Sequence, residues 1–126
     1  MSEAAAQAEL RALIAGYWRP HAIACAARLG LAEAMGRGSR DAGELAAELE
    51  VDPLSLRRFL RALASIGLVR EEGGRFALTE TGACLAGDHP ASHKGMALHV
   101  ATQLSPAFAQ LEACVRSGSP PPGVKH

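Results

Sequence analysis

The side chains with catalytic or ligating chemistry in this 126-residue sequence are few and scattered. His89, His93 and His99 fall close together, the one concentration of imidazoles from which a metal site could be imagined. On a helix, six residues turn the chain through about 600°, so His93 and His99 would face nearly opposite directions. No carboxylate or thiol stands nearby at ligand spacing, so they read as solvent, core or substrate-facing residues and no metal is expected. Cys25, Cys84 and Cys114 are odd in number, far apart and without C-x-x-C spacing, which suits reduced structural thiols in a cytoplasmic protein. Cys84 would be a nucleophile only beside an activating base, and the sequence offers no evidence of one. Arg57, Arg58 and Arg61 could reach bases and phosphates if their helix read DNA. Glu44, Glu48, Glu50, Glu71 and Glu72 dilute that charge, and thirteen basic side chains balance thirteen acidic ones overall. A solvated or intersubunit face is the better reading of the arginines. No catalytic or cofactor-binding residue is assigned.

The elements that must carry these residues follow from periodicity and punctuation. Residues Ala4 to Ile14 place Leu10, Leu13 and Ile14 at helical spacing before Gly16. A second helix, with Pro20 in its first turn, runs through HAIACAARL and is apolar nearly all round until Gly30 caps it. Leu31 to Met35 adds a turn, and GRGSR reads as a loop. Asp41 and Glu44 suggest a capping box for a helix that buries Leu45, Ala46 and Leu49. After the turn at Val51-Asp52-Pro53, Leu56, Phe59, Leu60 and Leu63 share one helical face, with the arginines on the other. Two short helices joined so tightly form a helix-turn-helix. Gly67 ends the second, and LVREEGGRFAL gives two short strands around Gly73-Gly74, a hairpin wing. Thr79 caps a helix through Leu85, with Gly82 as a close-packing position. Further helices are predicted from Ser92 to Leu104 and from Ser105 to Arg116, with Met96, Val100 and Leu104 aligned. The fold class is therefore mainly α: a winged helix-turn-helix with extra N-terminal and C-terminal helices. One domain over 1–118 and a linker-like Pro- and Gly-rich tail over 119–126 are expected.

Apolar residues make up 48% of the sequence and aromatics 4%, a composition for one close-packed helical core. No apolar run approaches the ~18 residues that span a bilayer, and no signal sequence opens the chain, so a cytoplasmic location is expected. So small a domain cannot surround a helix as apolar as the second one. That surplus, with the first helix, implies a homodimer whose seam would include Leu13, Tyr17, Trp18 and Ile23.

The ordered parts also resemble a family. AARLGL at 26–31, ELA at Glu44 to Ala46, LRRFLRAL at Leu56 to Leu63, Gly67 before the wing, and LTETG at Leu78 to Gly82 are similar to the N-terminal dimerisation domain of S-adenosylmethionine-dependent small-molecule O-methyltransferases. The likeness runs on through Phe108, Leu111, Val115, Arg116 and Gly118. It implies an intertwined homodimer. It also implies an acceptor pocket walled in part by the helices after the wing, with Met96, His99, Val100, Gln103 and Phe108 as lining. The Gly-rich cofactor loop, its downstream acidic residue and the catalytic histidine of such enzymes have no counterpart in this sequence. S-adenosylmethionine is thus implied for a full-length relative and not for these residues. The expected function is dimerisation and substrate-pocket building, with a small aromatic substrate and possibly a separate catalytic methyltransferase chain as partners. The alternatives are a winged-helix transcription regulator and a stand-alone small-molecule binding protein. The parent reaction, methylation, hydroxylation or decarboxylation, is left open.

Overall fold

The computed structural model describes residues 2–121. Its helices are α1 (Glu3–Ala15), α2 (Trp18–Leu29), α3 (Leu31–Met35), α4 (Ala42–Leu49) and α5 (Pro53–Ser65), then α6 (Glu80–Ala83), α7 (Lys94–His99), α8 (Ser105–Phe108) and α9 (Leu111–Ser117). Three antiparallel strands, β1 (Arg40–Asp41), β2 (Val69–Glu72) and β3 (Arg75–Leu78), lie in the order β1-β3-β2. Helices dominate and the sheet is small, as the sequence implies.

Each boundary has a local cause. The Asp41 carboxylate accepts from the Gly43 and Glu44 amides at 3.0 and 3.2 Å and starts α4. Among the described residues the Glu44 side chain makes no return bond, so half of the predicted capping box forms. Asp52 accepts from the Ser55 amide at 2.8 Å and starts α5, and that bond is the main cause holding its carboxyl below the ordinary 3.8. Gly30 at φ +70 ends α2 in the left-handed conformation that glycine adopts without penalty. The wing turns at Gly73 and Gly74, φ +58 and +79, in the doubly positive geometry whose twist matches a two-residue hairpin. Its register pairs Val69 with Leu78 and Glu71 with Phe76.

Three predicted spans change. The end of GRGSR is strand: Arg40 and Asp41 pair with Phe76 and Arg75, and the Arg75 guanidinium donates to the Ser39 carbonyl at 3.0 Å. The helix predicted over Ser92 to Leu104 starts at Lys94 and widens into a π-helical segment over Val100–Leu104. Pro106 explains the widening: it has no N–H to give the Thr102 carbonyl, and its ring crowds that group. The last predicted helix breaks at Ala109–Gln110 into α8 and α9. Residues 122–126 of the predicted tail lie outside the described residues.

The core gathers Leu31, Met35, Leu45, Ala46, Leu56, Leu60, Leu63, Leu68, Val69 and Phe76 beneath the wing. It thus joins α2 through α5 to the hairpin. Phe59 and Leu49 lean against it half-buried. Gly82 holds α6 against the start of β2 so closely that a Cβ there would lie 1.9 Å from the Leu68 carbonyl oxygen. Thr79 completes the clamp by donating to the Gly67 carbonyl at 2.6 Å while accepting from the Gly82 amide at 3.1 Å.

Candidate functional site

The histidines do not converge. His89 uses Nδ1 to accept from the Ala91 amide at 2.9 Å, and His93 Nδ1 lies 2.8 Å from the Ala91 carbonyl oxygen. His99 is exposed on α7. Among the described residues no three His, Cys, Asp or Glu side chains group as metal ligands. Cys25 is exposed, contrary to a structural thiol, because its helix turns that position away from the core; Cys84 and Cys114 are half-buried, and Cys84 Sγ rests against the Glu80 carbonyl at 3.5 Å. Arg57, Arg58 and Arg61 are exposed, and Arg61 pairs with Glu71 of the wing at 3.3 Å.

What the structure concentrates is uncovered apolar surface. Of the large hydrophobic side chains that are exposed among the described residues, all but Leu54 belong to two stretches. Leu10, Leu13, Ile14 and Tyr17 form the first; Met96, Leu104, Phe108, Leu111 and Val115 form the second. Every residue of α1 is exposed, and neither α1 nor α9 packs substantially on any other element. The sequence-predicted seam therefore divides: Leu13 (73% exposed) and Tyr17 (71%) stand free, Trp18 is half-buried, and Ile23 leans on the core. The pocket candidates divide similarly. Met96, His99, Gln103 and Phe108 are exposed and Val100 is half-buried; the cavities found among the described residues are lined by others. Their stripe is a ridge, with Met96 at 68% and Phe108 at 66% exposure.

The second stretch is anchored to the core at its base, by contacts that sequence spacing could not reveal. Ala97 is buried, and α7 with the π segment lies along α2, where His21 Nε2 meets Ser105 Oγ at 3.2 Å. Glu33 of α3 receives both the Lys94 ammonium and the Gly87 amide. Burial works to raise the Glu33 carboxyl, but the bonds from Lys94, its own backbone and Gly87, with the Lys94 charge, hold it below the ordinary 4.5. A carboxyl depressed in the fold adds stability that is complete above its unfolded value and lost as pH falls through the folded one. Denaturation of Glu33→Gln is therefore expected to show a lower midpoint at neutral pH and a flatter acid limb, the two proteins converging once the pH has fallen below the carboxyl's folded value. Both side chains are about a third exposed, so the difference stays within about 1 kcal/mol.

The sequence matches the O-methyltransferase dimerisation domain over residues 12–88. It is 37% identical over 116 residues to the O-demethylpuromycin-O-methyltransferase of Streptomyces alboniger, covering 91% of this chain and 31% of that one. The crystal structure of LaPhzM superposes with a TM-score of 0.84 at 32% identity, over 90% of this chain and 34% of that one. CalO1, a methyltransferase in calicheamicin biosynthesis solved in its SAH-bound form, gives 0.81 at 33% identity, over 96% of this chain and 36% of that one. The chain spans about a third of the length of the curated relatives it matches.

Proposed function

The chain belongs to the O-methyltransferase dimerisation-domain family, and from that premise we propose that it builds a homodimer and offers one wall of an acceptor pocket to a methyl-transferring domain. The observation that carries the reading is the pair of uncovered apolar stretches, Leu10–Tyr17 and Met96–Val115. A monomer gains nothing by exposing them, and contiguous apolar surface of this kind marks an interface. The wall is the ridge of Met96, His99, Val100, Gln103 and Phe108. Met96 and Phe108 offer apolar contact to an aromatic ring, and His99 and Gln103 offer donors and acceptors to its substituents. S-adenosylmethionine belongs to the domain that would complete the pocket, whether joined to this chain or carried on a separate one. The described residues hold no Gly-rich strand-to-helix loop for it.

Use of α5 to read DNA gains little support from charge. Between Asp41 and Leu78 there are five arginines against seven carboxylates, and Arg61 is already paired. Sedimentation equilibrium is the direct test: a dimer is expected at micromolar concentration, with no S-adenosylmethionine uptake by this chain in calorimetry. A monomer throughout, or tight cofactor binding, would overturn the proposal.

A further inference from the structure

The two uncovered stretches differ from the rest of the molecule in a way that bears on how it assembles. α1 has thirteen residues and no buried side chain, and its cap is a single bond of 3.1 Å from the Ala5 amide to Ser2 Oγ. Isolated helices below about 12–15 residues are marginal in water even when rich in alanine. α8 and α9 are shorter still, four and seven residues, and bury nothing. Beyond the Ser105–His21 contact at the start of α8 and the turn before it, neither propensity nor packing within the chain accounts for these helices. By contrast, α5 buries Leu56, Leu60 and Leu63, and β3 buries Phe76.

We propose that α1 and the α8–α9 segment are helices made by association, ordered only where a second copy of this chain covers their apolar side chains. The inference rests on the homodimer reading and adds to it which parts of the fold exist before the partner arrives. A second copy is the fitting occupant for three reasons. The matched family is that of a dimerisation domain. A two-fold operation covers both copies with the same surface. The polar residues of α1 are Glu3, Gln7, Glu9 and Arg11, without the cationic face that binds an anionic bilayer. The family match runs from residue 12 to 88, so residues 3–11 of α1 and the whole of α8 and α9 lie beyond what it describes. Assembly is then a bimolecular folding step, in which the core of α2 to α7 and the wing is present in the monomer.

The 126-residue chain is diluted through its dimer–monomer transition while sedimentation, far-ultraviolet circular dichroism and amide exchange are followed. Helical signal is expected to fall with dissociation. Exchange should accelerate by roughly a hundredfold or more over residues 3–15 and 105–117 while α5 and the wing stay protected. Leu13→Glu with Ile14→Glu is expected to give a monomer with the same exchange pattern. Leu111→Glu with Val115→Glu is the second route should the first fail to fold. A monomeric variant whose α1 and α9 remain protected overturns the inference, as does a dimer that survives both pairs of substitutions. Protection of α1 by vesicles containing anionic lipid, with none from a second copy, does the same. A wild-type chain that never dimerises removes the homodimer reading itself, a different result from either of these.

Discussion

Gly82→Ala is expected to cost about 3 kcal/mol or more of stability, a large share of the roughly 5–15 kcal/mol that holds a domain folded. The added methyl would sit 1.9 Å from the Leu68 carbonyl oxygen and 2.9 Å from its carbon, and both are backbone atoms that no rotamer change can move aside. That carbonyl also accepts from the Thr79 amide at 3.1 Å, so displacing it loosens the cap of α6 and the start of β2 together. Helix propensity alone favours the substitution, since alanine exceeds glycine by about 1 kcal/mol in a helix interior. The predicted sign thus depends wholly on the close approach. Gly95→Ala is the control: it lies in α7 with open space around the would-be Cβ, and it should be neutral or mildly stabilising. Urea denaturation of the two variants compares them directly. Equal midpoints would mean that α6 does not lie against Leu68 as described.

Phe76→Ala should be nearly as severe, at about 3–5 kcal/mol. Phe76 has no exposed surface and is the largest fully buried side chain. It stands on β3, the central strand, paired with Arg40 of β1 on one side and Glu71 of β2 on the other. Truncation leaves a cavity bounded by helices on one face and by hydrogen-bonded strands in its own layer, and such a site collapses poorly. Calorimetric unfolding would measure the loss. A cost below about 1 kcal/mol would show that the wing is peripheral to the core.

The legible parts of this fold were those written in local spacing. Asp52-Pro53 gives a cap and a first helical position, Gly73-Gly74 a turn with two positive φ angles, and Leu56, Leu60 and Leu63 one face of one helix. The close approach at Gly82 is legible as well, from its place after the Thr79 cap. The missed features are the ones made by distant residues. β1 exists because Arg75 reaches back to Ser39, and two residues carry too little pattern to be read as a strand. The tie between Glu33 and Lys94 crosses most of the core sequence. The π segment needed the consequence of Pro106 to be carried backward into a helix that otherwise looks continuous. Of the seam candidates, Leu13 and Tyr17 lie exposed on and just after α1, whereas Ile23, of equal hydrophobicity, leans on the core. Hydrophobic spacing identifies a face that will be covered; it does not say by which chain.

The π-helical segment at Val100–Leu104 also sets a phase. Each residue of a helix turns the chain through about 100°, so a segment that accommodates an extra residue offsets the azimuth of everything after it. Phe108, Leu111 and Val115 are aimed by that offset and not by the length of α7. Ordinary winding of all five residues would leave the core composition untouched and swing the distal stripe about a quarter-turn away, whereas ordinary winding with one residue deleted would leave its direction nearly unchanged. A relative one residue shorter in this span and ordinarily wound would therefore present the same side chains to the same neighbour.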